Sequence, residues 1–358
     1  MRRAARTRNP ASAVTSANAG GAPRSHVPAI LAERVSTVSD VLLVFQLAAG
    51  RDDFGAPDGR RIVADDVNGP LQAACGVRAW GGVFVKARSL IFDLFGDYLR
   101  YRGGEARLRS LVSLMHCFDV PEPTVRVVVT RLRKEGWLAS RRDGRETVYL
   151  LTDAAWGLLD EGRERIFHRA QGPWDGLWHM VIYSVPEAER GLREQLRKKL
   201  AWFGFGPLSS AVWVSPHDRT GLVRAAFADE PAVQLDVFRS RSAGVASDRD
   251  IAARSWDLEG LDRAYAELLE TYRPRLAAYR SGALQGTDAL VERMNLVHDY
   301  RRFPFRDPDL PPELLPEGWS GRLAHEVFLE AHGLLRGPAE ACVDALTGAV
   351  ALPAEEAG

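Results

Sequence analysis

The alternation of hydrophobic and polar residues is clearest over residues 121–152, where it predicts a helix followed by a hairpin. Two prolines open this stretch, where a missing backbone N–H costs no hydrogen bond, and Gly136 ends the helical pattern. The apolar residues that recur at helical spacing and share one face are Val125, Val128, Val129 and Leu132. The sequence therefore predicts a short amphipathic helix whose opposite face is polar and basic.

Two strand-like runs, 137–140 and 147–151, follow this helix. The segment between them is Arg-Arg-Asp-Gly-Arg, and its pair Asp143-Gly144 is typical of a hairpin turn. A basic helix followed by a hairpin with an arginine-rich tip is the pattern of a winged helix-turn-helix. Such a helix enters the major groove of DNA, and the hairpin tip reaches phosphates or the minor groove.

Positive charge is concentrated in the same stretch. Residues 121–145 contain seven basic and three acidic side chains, which leaves a net charge of +4, although the whole chain has a formal net charge of +0. A basic patch supplies phosphate affinity without any sequence preference. An ordinary solvated helix and hairpin is the alternative explanation, but the order of helix, turn and hairpin favours DNA binding.

The residues around this stretch complete a small domain over 86–170. Apolar residues at helical spacing predict helices at 89–102 and 107–117. The same spacing predicts a longer helix at 153–168, after the hairpin. Three short helices and a hairpin together predict an α+β domain.

A second domain is expected over 174–245. Strand-like runs at 177–185, 211–215 and 232–239 alternate with helical patterns. Strands separated by helices within so short a segment predict a ferredoxin-like α/β sandwich.

The C-terminal region, 250–348, is predicted to be a helical domain. Its periodic stretches are 258–281, 283–302, 319–335 and 338–346. Several prolines interrupt the pattern between the second and third of these stretches, and Pro338 begins the last one.

The first 85 residues show little periodicity and are rich in Ala, Arg, Gly and Asp. We expect 1–85 to be a disordered tail, and a basic arm that assists DNA binding is the alternative. Because the pattern becomes regular only from about residue 86, a further hypothesis is that the native protein starts downstream of Met1.

Composition indicates a cytoplasmic protein without a metal or another cofactor. Cys75, Cys117 and Cys342 are isolated in the sequence, with no CxxC motif and no Cys/His cluster. Neither a disulfide framework nor structural zinc is therefore expected, and the pattern fits a reducing compartment. No apolar run approaches the ~18–20 residues that a membrane span needs, so no membrane association is expected.

The sequence also contains no Gly-rich phosphate loop, no GxSxG and no HExxH motif. A ferredoxin-like, metal-dependent nuclease is the enzymatic alternative, and it needs carboxylates at a strand end to hold the ion. The predicted strand at 177–185 contains no Asp or Glu. We therefore assign no catalytic residue and expect that the protein is not an enzyme.

Several long segments resemble the PaaX family. They are ARSLIFDLFGDYLRYRGGE (87–105), TVRVVVTRLRKEGWL (124–138), PWDGLWHMVIYSVPE (173–187), LAWFGFGPLSSAVWVSPHD (200–218), SWDLEGLDRAY (255–265) and YRRFPFRDPDLPPELLP (300–316). The resemblance runs in order through all three predicted domains. It implies a dimeric repressor of phenylacetate and related aromatic catabolism, with a winged helix, a ferredoxin-like middle domain and a helical C-terminal domain.

The resemblance further implies that a homodimer, joined through the ferredoxin-like domain, binds two half-sites of a double-stranded DNA operator. An aryl-CoA thioester such as phenylacetyl-CoA is the implied effector that releases the DNA. The helix residues expected to face the groove are Thr124, Arg126, Val127, Thr130, Arg131 and Lys134. The hairpin residues expected to contact the DNA backbone are Arg141, Arg142 and Arg145.

A CoA thioester needs cations for its phosphates and an apolar slot for its acyl group. One short segment offers both, and its candidate effector-binding residues are Tyr300, Arg301, Arg302 and Phe303. The alternative is a helix end that packs against the middle domain, with its arginines paired to nearby carboxylates such as Asp299 and Asp307. A regulator of an unrelated pathway, repressor or activator, is the alternative function on the same scaffold.

Overall fold

The first part of the described chain, which we call the N-terminal unit, consists of helices and a small antiparallel sheet. A computed structural model describes residues 87–169 and 173–348, so the tail or arm expected at 1–85 lies outside the described residues. The elements of this unit are α1 (Ala87–Asp97), β1 (Glu105–Arg107), α2 (Leu108–His116), α3 (Glu122–Lys134), β2 (Leu138–Asp143), β3 (Glu146–Leu151) and α4 (Asp153–Phe167). Its strands lie in the order β1-β3-β2.

The helix predicted at 89–102 ends earlier than its hydrophobic pattern does. Helix α1 stops at Asp97, and a 3₁₀ turn at Leu99–Arg102 follows. Gly103 and Gly104 both have positive φ, and a Cβ at Gly104 would lie 2.3 Å from the Trp156 ring. These glycines let the backbone turn into β1, a three-residue strand that is too short to produce a periodic pattern.

The middle of the chain forms a four-stranded antiparallel sheet with two helices between its strands. Its elements are β4 (Trp178–Ser184), α5 (Arg190–Trp202), β5 (Gly206–Pro207), β6 (Val212–Ser215), α6 (Thr220–Ala226) and β7 (Gln234–Ser240). The strands lie in the order β5-β6-β4-β7, so β4 and β6 are central and β7 is at an edge. The predicted strands are present, and the two-residue β5 is an additional one.

The remaining described residues are helical, as the sequence predicted. The helices are α7 (Val245–Ser255), α8 (Leu258–Tyr272), α9 (Leu276–Arg280), α10 (Gly286–Tyr300) and α11 (Gly321–Thr347). Helices with two small antiparallel sheets confirm the predicted α+β class. Within the described ranges, none of these helices combines the length and apolar character needed to cross a membrane.

The two helices predicted at 319–335 and 338–346 are one helix, α11, with Pro338 in its interior. A proline inside a helix removes one backbone hydrogen bond and favours a break. Here Ala331, Leu335, Ala339 and Val343 recur every four residues and are all buried. Burial of this continuous stripe outweighs the local cost of the proline.

Helices α10 and α11 belong to two hydrophobic cores. Ala324, Phe328 and Leu335 pack in the core of the C-terminal helices. Farther along α11, Ala339 and Val343 pack in the same cluster as the residues of α1, α2 and α3. The N-terminal unit therefore completes its core with side chains from the far end of the chain.

Buried ion pairs join the same two regions. Arg293 on α10 lies 2.7 Å from the carboxylate of Asp97 at the end of α1, and His332 on α11 lies 3.0 Å from it. Burial alone would raise the pKa of the Asp97 carboxyl, but the charges of Arg293 and His332 hold that pKa below its ordinary value. A second pair connects Arg102, through Nε, to Asp344 at 2.7 Å.

Asp97→Ala tests the contribution of the buried pair. The substitution leaves the Arg293 guanidinium, whose side chain is 2% exposed, without its carboxylate. Loss of one partner of a buried pair is expected to lower the free energy of unfolding by about 3–5 kcal/mol, measured by urea denaturation.

Glu259→Ala is the matched control, because the Glu259–Arg263 pair is exposed on both sides. Exposed pairs contribute at most about 1 kcal/mol. Equal losses of stability in the two variants would contradict a special role for the buried pair.

Candidate DNA interface and effector site

Helix α3 is fixed to the rest of the N-terminal unit by one apolar face. Val125, Val129 and Leu132 are at most 1% exposed, and Val128 is half-buried. Pro121 precedes the helix in an extended conformation, and Gly136 follows it with a φ of 80°. The predicted apolar stripe and both ends of the helix are confirmed.

The other face of α3 is open to solvent. Val127 lies on this face and is 62% exposed. The residues of this face that are exposed are Arg126, Val127, Arg131 and Lys134, and those that are half-buried are Thr124 and Thr130. All six residues predicted to face DNA thus lie at least partly at the surface, on one helix.

Several polar groups of this face are already engaged within the protein, among them Arg131, whose Nε lies 3.0 Å from the Glu135 carboxylate. The Thr130 hydroxyl donates a hydrogen bond to the backbone carbonyl of Arg126 at 2.7 Å. The Arg126 guanidinium pairs with Glu122 one turn earlier at 2.6 Å. An exposed pair at this spacing contributes only about 0.3–0.5 kcal/mol, so a phosphate or a base edge can replace the Glu122 carboxylate at small cost.

The hairpin places its arginines differently from the sequence-based expectation. Arg141 and Arg142 lie within β2 and not in the turn, because the strands extend up to Asp143 and Glu146. The turn itself is Asp143-Gly144-Arg145-Glu146, with Gly144 at a φ of 59°. All three predicted arginines remain exposed.

Two of the hairpin arginines also have partners within the protein. Arg141 pairs with Glu105 on β1 at 2.8 Å, and Arg142 bonds to the backbone carbonyl of Arg145 and to Thr147. Within residues 87–169 and 173–348, the Arg145 guanidinium makes no ion pair. Among the described residues, the hairpin therefore presents one guanidinium without an ion pair at its turn, that of Arg145, and two exposed but engaged guanidinium groups on its flank.

The predicted effector residues lie at the end of α10. Tyr300 and Phe303 are fully buried in the core of the C-terminal helices, and Phe303 stacks on Tyr265 with ring centroids 4.2 Å apart. Arg301 is 7% exposed, whereas Arg302 is half-buried with its guanidinium 5.4 Å from the Phe303 ring. The aromatic rings thus form part of the core, and the two arginines border it.

Arg301 has a partner that the sequence did not indicate. Its Nη1 lies 3.3 Å from Asp93 on α1, and its Nη2 lies 3.3 Å from the Nδ1 of His298. The carboxylates considered from sequence are engaged elsewhere: Asp299 accepts a bond from Tyr272, and Asp307 accepts one from Arg169. Arg301 therefore connects the candidate effector segment to the N-terminal unit.

A buried polar cluster next to Tyr300 was missed by sequence reasoning. Arg169 lies 2.7 Å from Asp307 and also donates to the hydroxyls of Tyr265 and Tyr300. Tyr300 is in turn 2.7 Å from the Nδ1 of His325. No local pattern could have revealed this cluster, because its members come from distant parts of the chain.

The protonation state of this cluster follows from burial. Burial, followed by the charge of Arg169, lowers the pKa of His325 to about 4. The imidazole is therefore neutral near pH 7 and can accept the Tyr300 hydroxyl proton. Burial also raises the pKa of Tyr300, so the phenol stays protonated and acts as the donor.

Metal chemistry is not indicated by the described side chains. In the part of the chain that the structure describes, no three His, Cys, Asp or Glu residues are arranged to hold a metal ion. His179 is buried on β4 and lies 3.6 Å from the exposed Asp218, which by itself makes only a weak pair.

Three family models match the chain in succession. The PaaX-like protein model matches residues 86–155, the PaaX protein central Cas2-like domain matches 171–252, and the PaaX-like protein C-terminal domain matches 256–345. These matches follow the order of the N-terminal unit, the middle sheet and the C-terminal helices.

Similar whole proteins cover the same region. Transcriptional repressor PaaX of Escherichia coli (strain K12) is 32% identical over 264 residues, which are 71% of this chain and 82% of that protein. Uncharacterized protein Rv0674 from Mycobacterium tuberculosis, a solved structure, is 25% identical with a TM-score of 0.51, over 72% of this chain and 98% of that one. Because the first of these relatives is matched over most of its length and the family models cover all three regions, the chain belongs to the PaaX family.

Proposed function

We propose that this protein is a DNA-binding transcriptional repressor and that residues 86–170 form a winged helix-turn-helix. Helix α3 is its recognition helix, and the β2–β3 hairpin is its wing. The observation that carries the proposal is the outward face of α3, where Arg126, Val127 and Arg131 are exposed while the opposite face is buried. The name of the Escherichia coli relative, a transcriptional repressor, supports the same role.

The chemistry of this face suits the major groove. Arginine or lysine forms bidentate or single contacts with the O6 and N7 of guanine, which favours Arg126, Arg131 and Lys134 as base-reading residues. Val127 and Thr130 offer methyl groups that can contact the methyl of thymine. Arg141, Arg142 and Arg145 on the hairpin are then available for phosphates.

Two half-sites are expected on the operator, because a twofold dimer presents two recognition helices. We assign the dimer contact to the ferredoxin-like domain, 174–245. The strand order β5-β6-β4-β7 supports the ferredoxin-like topology. Phe238, which lies on the edge strand β7, is 51% exposed. The regulated genes in this proposal encode aromatic, phenylacetate-type catabolism.

Arg126→Ala tests direct base contact. The variant is expected to bind the operator about 1–3 kcal/mol more weakly and to lose selectivity at one base position, as measured by competition binding with a set of single-base operator variants. Arg263→Ala, an exposed arginine on α8 that also pairs within one turn, is the matched control. An equal loss on operator and random DNA would show that Arg126 contacts only phosphate.

Arg145→Ala tests the wing. Because the Arg145 guanidinium has no competing carboxylate among the described residues, its removal should eliminate about one phosphate contact. The slope of log K against log salt is expected to become less steep by about 1, with similar effects on operator and random DNA. A change in base preference with an unchanged slope would place Arg145 at a base edge instead.

The proposed effector is an aryl-CoA thioester such as phenylacetyl-CoA, bound near 300–303. Arg301 and Arg302 each have a buried Nε without a hydrogen-bond partner among the described residues. Unpaired buried donors are costly, and a phosphate of CoA can satisfy them. The Arg302 guanidinium lies 5.4 Å from the Phe303 ring. Because the rings of Tyr300 and Phe303 are fully buried, the acyl group reaches this apolar surface only when the end of α10 opens.

The Arg301–Asp93 pair suggests how the effector acts on DNA binding. An effector phosphate competes with Asp93 for the Arg301 guanidinium. Release of Asp93 leaves its buried carboxylate, whose side chain is 7% exposed, with only His298 at 3.7 Å beside it, which is unfavourable for the packing of α1. The equilibrium then shifts toward an arrangement in which α1 and the neighbouring α3 have moved relative to the C-terminal helices.

Arg301→Ala tests the effector site. We expect at least about tenfold more phenylacetyl-CoA to be needed for half-maximal release of operator DNA, measured by fluorescence anisotropy. Arg301→Lys keeps the charge but loses the planar fork, and it should give an intermediate shift. Because Arg301→Ala also removes the partner of Asp93, each variant's operator affinity without effector is measured first, and release is expressed relative to that affinity. Circular dichroism checks that each variant is folded.

Unchanged release by phenylacetyl-CoA in both variants would remove Arg301 from the effector site. Titration of the unmodified protein with a panel of acyl-CoA thioesters completes the experiment. Release by a non-aromatic thioester alone would favour regulation of an unrelated pathway.

A further inference from the structure

Helix α4 of the N-terminal unit reaches the end of α5, a helix of the middle sheet. Arg165, on the last turn of α4, donates through Nη1 to the backbone carbonyl of Trp202 at 3.1 Å. Its Nη2 donates to the Glu161 carboxylate, one turn earlier, at 2.9 Å. Trp202 is the last residue of α5, and the carbonyl groups at a helix end have no partner within the helix. Arg165 therefore caps α5 from a different part of the chain.

The same guanidinium group lies against two aromatic rings. The Arg165 Cζ is 4.0 Å from the centroid of the Trp202 ring and 5.5 Å from that of Phe305. The two rings stack with their centroids 5.2 Å apart, and Trp202 is 6% exposed. A cation over an aromatic ring is held more strongly when water is excluded, and the Arg165 side chain is largely buried. Arg165 thus contacts both α5 and the segment that follows α10.

Arg219 makes the same kind of bond to the next residue of the chain. Its Nη1 donates to the backbone carbonyl of Phe203 at 3.2 Å. Arg219 directly precedes α6, so this bond lies within the middle region that also contains α5. Basic side chains can bond the last carbonyl groups of a helix and interact favourably with its dipole. Capping accounts for Arg219, but it does not require that the donor of the Trp202 bond come from the N-terminal unit.

The N-terminal unit and the middle sheet are also both attached to the C-terminal helices. Phe167 of α4 packs against Phe328 of α11 with ring centroids 5.6 Å apart. Trp178 of β4 packs in one cluster with Leu258 of α8. Two bodies that are attached to a third keep their relative orientation only as well as both attachments do. The contact of Arg165 with α5 joins the two bodies directly and closes the triangle.

We propose that Arg165 is a positioning residue that fixes the N-terminal unit against the ferredoxin-like domain, 174–245, and thereby sets the half-site spacing that the dimer selects. The spacing rests on the proposed function, in which the ferredoxin-like domains join the dimer and α3 reads DNA. DNA completes one turn in about 10–10.5 base pairs. One extra base pair therefore turns a half-site by ~35° and moves it by ~3.4 Å. A firmly held recognition helix rejects such a change, whereas a loosely held one follows it.

Selection of binding sites from a library of random DNA duplexes tests the spacing. The full-length protein is used, and sequencing gives the half-site motif and the number of base pairs between its two copies. We expect the unmodified protein to enrich one spacing at least about tenfold over those one base pair longer or shorter, because twisting DNA to fit is costly. Arg165→Ala should enrich the same motif with two or more neighbouring spacings at similar levels.

Arg219→Ala is the matched control, because it removes a bond to the adjacent carbonyl without separating the two regions. It should keep the single spacing. Arg165→Met removes the charge and the donors but still fills the space beside Trp202, so it should broaden the spacing even if the alanine variant does not fold. An unchanged single spacing in the folded Arg165 variants would overturn the proposal. Equal broadening in Arg219→Ala, or enrichment of single half-sites only, would overturn it as well.

A distance measured without DNA separates this proposal from the proposed function. Spin labels at Arg109→Cys on α2 and Arg224→Cys on α6, both exposed positions, report the distance between the two regions by pulsed electron paramagnetic resonance. Labelled chains are diluted with unlabelled protein. The cysteines replaced by serine in this background are Cys75, Cys117 and Cys342. We expect one narrow distance distribution, which becomes broader in Arg165→Met and stays narrow in Arg219→Ala.

An unchanged distribution in Arg165→Met would overturn the positioning role. A broader distribution with an unchanged spacing would overturn the link between Arg165 and the spacing. A broader distribution in a protein that enriches no DNA motif would overturn the proposed function and leave the positioning role of Arg165 standing.

Discussion

The packing of α10 and α11 into the core of the N-terminal unit is the constraint on which the rest of the structure depends. The proposed recognition helix needs a defined orientation, and α3 packs against α2, which in turn packs against α11 in the cluster that contains Ala339 and Val343. The buried pair between Arg293 and Asp97 adds direction to this apolar contact, because a buried charge tolerates few alternative positions of its partner. The same contact links any movement of the C-terminal helices to the proposed DNA-reading surface.

The ion pairs of this protein have two different roles. Those between α1 and the C-terminal helices are buried, so they define geometry and are costly to break. Those on α3 and the hairpin, such as Arg126–Glu122 and Arg141–Glu105, are exposed and weak. Weak internal pairs cost little to break, so under the proposed function these arginines can exchange their carboxylate partners for phosphates. The neutral net charge of the whole chain therefore does not oppose a basic surface in one place.

Local patterns predicted most of the elements, and contacts between distant residues account for what they missed. Helix α3, the hairpin and β4 follow from apolar spacing and from one Asp-Gly turn, and the resemblance to the PaaX family is confirmed by the matching models and the Escherichia coli relative. Strands β1 and β5 are too short to leave a pattern. The partner of Arg301 and the cluster around Arg169 both depend on tertiary packing, which no spacing along the chain encodes.

The interior proline of α11 lies where the two cores meet. Leu335 packs with the C-terminal helices, Ala339 packs with the N-terminal unit, and Pro338 stands between them. Proline cannot donate a backbone hydrogen bond to the carbonyl four residues earlier, so this point is the weakest link along the helix axis. A bend of α11 at this joint would tilt the N-terminal unit, with the proposed DNA-reading face of α3, against the C-terminal helices. Such a tilt would have to break the pairs that Asp97 makes with Arg293 and His332, so those pairs hold the joint straight.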